Sequence, residues 1–163
     1  MNNHHARKNT RLKEFDYSQN GAYFITICSN EKRCTLTSGG DPCGRPNFIL
    51  SKLGEICERT FNIIEEKYNE ISVNKYIIMP NHIHFILIIS NQNMIPIGKI
   101  IGAYKSLVSN AWLKICKQNN EIMGQIWQRN YYDHIIRDDI DYKTKWKYID
   151  TNPIRWREDE YYT

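Results

Sequence analysis

The segment His82–Ser90, HIHFILIIS, constrains the fold most, because nearly every position in it is apolar. Successive side chains of a strand point to opposite faces of its sheet. A strand that is apolar on both faces needs a layer of structure over each of them. His82 and His84 share one face, and Phe85 lies on the other. The chain is therefore expected to build a sheet that is covered on both sides.

Hydrophobic periodicity divides the rest of the chain into further strands and helices. In chain order, the segments are a strand at Ala22–Cys28, a helix capped by Ser51, a hairpin of strands at Val73–Met79 and His82–Ser90, a helix of about five turns from Ile97, an extended segment at Ile126–Ile136, and a helix that begins at Asp138 or Asp139 and ends at Pro153. The first six segments follow the order βαββαβ. We therefore predict an α+β, ferredoxin-like antiparallel sheet with its first and third strands in the middle and an additional C-terminal helix that carries Tyr148.

The apolar stripe of the last helix predicts how that helix packs. Tyr142, Trp146 and Ile149 follow an i, i+4, i+7 spacing, which is typical of a face that packs on a sheet. Tyr148 lies about 120° from the centre of this stripe, and Asn152 is its i+4 neighbour. Because the two other helices are expected on the Phe85 face, the last helix should cover the histidine face.

Length and composition predict one domain, spanning residues 1–163, with a basic arm at about 1–17. No apolar run is long enough to cross a bilayer, and the polar start lacks the apolar core of a signal peptide. We therefore expect a cytoplasmic protein. The formal net charge of +4 permits a nucleic-acid partner without requiring one. Five cysteines without a C-x-x-C pair predict reduced thiols.

Two imidazoles on one strand face are a candidate metal site. His82 and His84 project together from the predicted third strand, under the last helix. The alternative is a pair of histidines at a strand start near solvent. Tyr148 has an alternative too, as an ordinary surface residue of an amphipathic helix.

Five segments in this order resemble the REP-associated tyrosine transposases, relatives of the single-tyrosine HUH transposases of IS200-like elements. They are RLKEFDYSQNGAYFITIC, YIIMPNHIHFILII, AYKSLVSNAW, IWQRNYYDHIIRD and KYIDTNPIRW. The resemblance runs from about Arg11 to Trp156. It implies a metal-dependent endonuclease and strand transferase for single-stranded or hairpin DNA, formed by repetitive palindromic elements.

The resemblance also implies roles for individual residues. His82 and His84 would bind a divalent metal, with Asn152 as a third ligand, and Tyr148 would attack the DNA backbone to give a 5′-phosphotyrosine. The family implies Mg²⁺ or Mn²⁺, and two imidazoles favour Mn²⁺. A tyrosine hydroxyl needs a nearby positive charge or a base, which Lys145 or the metal would supply.

Further residues are candidates for contact with DNA, although packing or solvation is the alternative use for each of them. The resemblance also includes His134, in YYDHII, as a further candidate for the site, although a histidine on an edge strand is often structural. Basic and hydroxyl side chains that would contact phosphates are Arg11, Lys105, Ser106, Arg129, Arg137 and Lys145. Aromatic side chains that would stack on bases are Trp127, Tyr131 and Tyr132.

Two other functions remain open from the sequence. One is a non-catalytic nucleic-acid-binding module on the same fold. The other is a metal-dependent hydrolase that uses water, which is less favoured because the H-x-H pair has no acidic neighbour in the sequence to act as a base. The oligomeric state is open as well, since a site of this kind forms either within a monomer or across a homodimer that exchanges the tyrosine helix.

Overall fold

A four-stranded antiparallel sheet organises the protein in a computed structural model that describes residues 20–39, 48–90 and 95–162. Arg11, the basic arm and residues 40–47 of the Gly- and Pro-rich loop lie outside the described residues. The strands are β1 (Gly21–Cys28), β2 (Ile71–Ile78), β3 (His82–Ile89) and β4 (Tyr132–Ile136). The helices are α1 (Lys52–Lys67), α2 (Ile97–Gln118) and α3 (Asp139–Thr151), and two short 3₁₀ turns span Asn30–Lys32 and Trp156–Glu158.

The strand order is β2-β3-β1-β4, so the first and third strands lie in the middle as predicted. β1 and β3 run antiparallel in a register that pairs Thr26 with His84 and Cys28 with His82. This register matters for the site, because it sets the Thr26 hydroxyl beside the His84 ring. The predicted α+β architecture is confirmed.

The larger core lies between the sheet and helices α1 and α2. Phe85 on β3 packs against Phe61 of α1 and Tyr104 of α2, with ring centroids 5.2 and 6.2 Å apart. Helix α1 begins where sequence predicts, since the Ser51 side chain accepts a hydrogen bond from the Gly54 backbone N–H at 3.1 Å.

Helix α3 covers the opposite face of the sheet, where a smaller core forms. Ile149 packs with Phe24 and Ile86, and Tyr142 and Trp146 lie half-buried against them. The predicted stripe is therefore the packing face of α3. No helix in the described part of the chain has the length and apolar character needed to cross a bilayer.

The end of the predicted extended segment is a strand, but its beginning is not. β4 starts only at Tyr132, and Trp127 forms a single isolated bridge with Ser29. Between them, the Gln128 and Asn130 carbonyls accept hydrogen bonds from the Lys105 ammonium group instead of from a neighbouring strand. The prediction of a strand over Ile126–Ile136 is therefore too long.

Helix α3 ends at Thr151, but the backbone stays helical through Asn152, with φ −57° and ψ −43°. A residue that precedes proline usually avoids this conformation. Here the Asn152 N–H still donates to the Tyr148 carbonyl at 3.0 Å, so Asn152 keeps its i+4 position relative to Tyr148. The i+4 relationship expected from sequence is therefore present despite Pro153.

Candidate metal and tyrosine site

The two histidines of β3 lie side by side beneath α3 and are almost fully buried, at 0% and 1% exposed. The ring centroids of His82 and His84 are 4.4 Å apart. The Nδ1 atom of His82 is 2.9 Å from Asn81 Oδ1, and that of His84 is 2.8 Å from Thr26 Oγ1. Both Nε2 atoms are buried without a hydrogen-bond partner. Each ring is thus oriented through one nitrogen and leaves the other available.

The hydrogen bonds of Asn81 determine which nitrogen of His82 carries the proton. Asn81 Nδ2 donates to the carbonyls of Lys32 and Tyr161, so its Oδ1 is an acceptor and His82 Nδ1 is the donor. In neutral His82, Nε2 then presents a lone pair, as metal binding requires. Burial lowers the pKa of His82 to about 4 and holds the pKa of His84 well below its ordinary value. Both rings are therefore neutral at pH 7.

Helix α3 places Tyr148 against these histidines. The Tyr148 ring meets His84 edge-on at a centroid distance of 5.2 Å and Phe24 at 5.8 Å. It remains 38% exposed, facing an open cavity of about 360 Å³ that His84 and Lys145 also line. Burial raises the pKa of the Tyr148 hydroxyl to about 12, and the charges of Asp159 and Glu160 act in the same direction. The hydroxyl is therefore protonated in this arrangement.

Lys145 lies on the same side of α3 as Tyr148, with its ammonium group 5.1 Å from the centroid of the Phe24 ring. Asn152, one turn after Tyr148, is only 4% exposed. Its Nδ2 donates to Asp159 Oδ2, while its Oδ1 is buried without a partner. The structure thus brings together four residues predicted from sequence: His82, His84, Tyr148 and Asn152, with Lys145 at the edge.

Sequence reasoning missed Asp159, which follows α3. One nitrogen from each of His82 and His84 and one carboxylate oxygen of Asp159 all lie within 4.8 Å of one another. The argument that the histidine pair has no acidic neighbour is therefore wrong, because the chain folds back and supplies one. The acidic run from Glu158 to Glu160 was the only sequence signal, and nothing in its spacing connects it to a strand so far away in the chain.

We call residues 156–161, which turn back over the histidines after α3, the return segment. The Tyr161 ring lies 4.6 Å from that of His82, centroid to centroid. Asn81 Nδ2 donates to the Tyr161 carbonyl at 2.7 Å, and the Lys32 ammonium donates to the Glu160 carbonyl at 3.1 Å. These contacts hold the return segment on the loop before β3 and on the turn after β1.

Among the described residues, four of the predicted phosphate contacts do not line the cavity beside Tyr148: Lys105, Ser106, Arg129 and Arg137. Lys105 is the furthest from its predicted use, since its ammonium donates to the Gln128 and Asn130 carbonyls at 2.9 and 3.0 Å. Burial lowers the pKa of Lys105 to about 8. Three of these residues are exposed, so their roles stay predictions: Ser106, Arg129 and Arg137.

His134 and the predicted stacking residues have structural surroundings of their own. His134 Nε2 is 2.8 Å from Asp141 Oδ2, a contact that joins β4 to the first turn of α3. Trp127 is 6% exposed and belongs to the larger core, which agrees with the packing alternative and not with stacking on a base. Tyr132 is 43% exposed and lines the cavity with Tyr148, whereas Tyr131 packs half-buried beside Lys105.

Comparison with known proteins places the chain among transposases. The family model "Transposase IS200 like" matches residues 42–152. The chain is 33% identical over 178 residues to an uncharacterized protein of Haemophilus influenzae, covering 97% of this chain and 94% of that protein. It is 26% identical over 141 residues to the REP-associated tyrosine transposase of Escherichia coli, covering 85% of this chain and 70% of that one.

Solved structures support the fold. A REP-associated tyrosine transposase bound to a REP hairpin superposes with a TM-score of 0.64 at 17% identity, covering 90% of this chain and 74% of that chain. A transposase crystal structure from Deinococcus radiodurans gives a TM-score of 0.54 at 13% identity, covering 86% of this chain and 97% of that chain. These two likenesses show the fold. The family model, which matches residues 42–152 and so more than half of the chain, shows that the chain belongs to the IS200-like transposase family.

Proposed function

We propose that this protein is a metal-dependent endonuclease and strand transferase that acts on single-stranded or hairpin DNA through a covalent bond to Tyr148. Family membership makes DNA transposition its general activity. The observation that supports the finer proposal most strongly is the contact of the Tyr148 ring with His84, next to two buried and unpartnered imidazole nitrogens. A nucleophile and a metal site of this kind are the two parts that such a reaction needs.

The residues at the site fit a divalent cation. Leaving a buried polar atom without a partner costs about 1–3 kcal/mol, yet the Nε2 atoms of His82 and His84 and Oδ1 of Asn152 are all in this state. Two neutral imidazoles with oxygen donors suit Mn²⁺ better than Mg²⁺. When bound, the cation would supply the positive charge that polarises the scissile phosphate.

Tyr148 would act as the nucleophile. Its hydroxyl oxygen forms a bond to the phosphorus while the bond from phosphorus to the 3′ oxygen breaks. The phenol loses its proton and the departing oxygen gains one, so the products are a 3′-hydroxyl and a 5′-phosphotyrosine. Attack by a different 3′-hydroxyl reverses the step and joins two strands. The phosphotyrosine conserves the phosphodiester energy, so rejoining needs no ATP.

Lys145 would support this step by its charge. It lines the same cavity as Tyr148 and His84, where a phosphate must lie if the tyrosine is to reach it. An ammonium group at that position offsets the charge that builds up when the tyrosine oxygen attacks. Its expected effect is on the rate of cleavage more than on the affinity for DNA.

A hairpin is the substrate we favour, because the solved transposase with this fold is bound to a REP hairpin. Residues 1–163 would act as one domain in the cytoplasm, with the basic arm at about 1–17 and the exposed Arg129 and Arg137 contacting phosphates. The whole site lies within one chain, which favours a monomer over a homodimer that exchanges α3.

The test is to incubate the protein with end-labelled hairpin oligonucleotides from the repeats flanking its gene, in Mn²⁺ or Mg²⁺. A denaturing gel should show a DNA-linked protein band and a cleaved strand. Tyr148→Phe should remove both products while DNA affinity stays within about twofold of wild type. Tyr142→Phe, which changes a tyrosine on the packing face of the same helix, should retain both.

A second function has support from Asp159. Its carboxylate lies beside the histidines and can act as a general base, although no acid is near the H-x-H pair in the sequence. A base at this position favours hydrolysis of DNA by water. In that case Tyr148→Phe would still cut DNA, and no band would carry protein. A protein that binds DNA without metal and yields neither product would instead be a binding module.

A further inference from the structure

We infer that Asp159 is itself a ligand of the metal, so that a cation bound to His82 and His84 fastens the return segment onto the sheet. The inference rests on the metal site proposed above and adds a ligand from a different part of the chain. It assigns a role to a residue that the pattern of two histidines, a tyrosine and an asparagine does not include.

The separation of the three groups suits a shared ion. One ring nitrogen of each histidine and one carboxylate oxygen of Asp159 lie within 4.8 Å of one another. Two ligands of one cation are at most about 4–4.5 Å apart, which is twice a metal–ligand bond. A shift of a few tenths of an ångström would therefore bring all three into one coordination sphere.

Hydrogen bonds hold both carboxylate oxygens of Asp159 in place. Asn152 Nδ2 donates a hydrogen bond to Asp159 Oδ2, while the amide oxygen of Asn152 is buried without a hydrogen-bond partner. The Tyr161 backbone N–H donates to Asp159 Oδ1 at 2.7 Å. Carboxylates that bind metals are themselves held by hydrogen bonds of this kind.

The burial of the histidine Nε2 atoms indicates why a closed arrangement, in which the return segment packs over the histidines, needs a metal ligand. The return segment lies over His82 and His84, and their Nε2 atoms have neither solvent nor a partner. That burial opposes closure of the segment. A cation that binds the histidines and Asp159 together removes this cost and stabilises the closed arrangement by mass action.

Glu158, the acid that precedes Asp159, does not share this placement. Glu158 is 68% exposed at its side chain and pairs with Arg155 at 3.0 Å, within the same short turn. Replacing Glu158 by glutamine changes the net charge as much as Asp159→Asn does, without touching the group around the histidines. It is therefore a matched control for any general effect of charge on cation binding.

The test is to titrate Mn²⁺ into the full chain by calorimetry and to follow hydrogen exchange of the return segment with and without Mn²⁺. Asp159→Asn should weaken Mn²⁺ binding at least about tenfold and abolish the protection that Mn²⁺ gives the segment. Glu158→Gln should keep wild-type affinity and protection. Asp159→Asn with unchanged affinity and protection would overturn the inference.

A cysteine at position 159 provides a second readout that does not depend on how well Asp159→Asn folds. Thiolates prefer soft metals, so Asp159→Cys should gain a sulfur-to-cadmium absorption band in addition to any band that Cd²⁺ gives with the five native cysteines of wild type. Absence of this band would contradict a ligand position. If wild type binds no Mn²⁺, the whole proposed metal site is wrong. If wild type binds Mn²⁺ and Asp159→Asn binds it with the same affinity, only the role of Asp159 is wrong.

Discussion

The phenol of Tyr148 and the imidazole of His84 meet within a single chain, with ring centroids 5.2 Å apart and ring planes inclined by 67°. His84 lies on a central strand and Tyr148 on the helix that covers it. The contact therefore follows from the packing of α3 on the sheet. It also gives a direct test of whether the site needs a second copy of the chain.

Mixing two inactive variants should not restore DNA cleavage. Tyr148→Phe removes the proposed nucleophile and His84→Ala removes a proposed metal ligand, and in each chain both groups belong to the same site. We expect the mixture to cleave a hairpin no faster than either variant alone, measured on a denaturing gel after prolonged co-incubation. Cleavage by the mixture would mean that copies exchange α3 and build the site between them.

Gly54→Ala should destabilise the protein, because α1 passes very close to the segment after β1. A Cβ at Gly54 would lie 2.1 Å from the Leu36 backbone carbonyl, which accepts a hydrogen bond from the Ser51 N–H. We expect the free energy of unfolding in urea to fall by about 1–3 kcal/mol.

Gly102→Ala is the matched control on helix α2. A Cβ there meets nothing within 4 Å in the described part of the chain, so only helix propensity should matter. The free energy of unfolding should rise by up to about 1 kcal/mol. Equal effects of the two substitutions would contradict the close approach at Gly54.

Asp138→Ala should weaken the start of α3 and with it the placement of Tyr148. The Asp138 side chain accepts a hydrogen bond from the Asp141 backbone N–H at 2.8 Å, which caps the helix. Loss of such a cap costs about 1 kcal/mol, measurable by urea unfolding. Asp139→Ala removes an acid from the same turn but keeps the cap, and it should cost less than half as much.

Asp141 should contribute stability that depends on pH. Burial acts to raise the pKa of Asp141, but hydrogen bonds from His134 and the Arg137 N–H lower it below 3.8 overall. Because the fold favours the charged carboxylate, its contribution is complete above pH 3.8 and disappears as the pH falls through the lowered value.

Asp141→Asn should accordingly be about 1 kcal/mol less stable than wild type at pH 6, with a difference that shrinks steadily below pH 4. The measurement is urea unfolding across this range. A difference between wild type and Asp141→Asn that stays constant down to pH 2 would rule out the ionised carboxylate as the stabilising group.

Local patterns were sufficient where the environment of a residue depends on its own segment. The two apolar faces of β3 required two layers of cover, and the stripe of Tyr142, Trp146 and Ile149 identified the packing face of α3. The Ser51 cap placed the start of α1. Alternation and helical spacing are local properties, so the sequence alone specifies them.

Sequence patterns gave a wrong prediction where a side chain from a distant segment binds the backbone carbonyls of a strand-like segment. Trp127 and its neighbours have the composition of a strand, but the ammonium of Lys105 on α2 binds the carbonyls that a ladder would use. Trp127 then packs in the core. Neither outcome follows from the segment 126–136 considered by itself.

The sequence by itself determined the elements, their order, and the facing of His82 and His84 toward α3, because side-chain direction follows from position along a strand or helix. Only the tertiary structure decided that Asp159 lies beside these histidines and that Asn152 keeps an unpartnered oxygen there. The return of the chain over β3 depends on hydrogen bonds from Asn81 and Lys32 to backbone carbonyls. Since every residue has such a carbonyl, no sequence pattern marks the ones that these side chains bind.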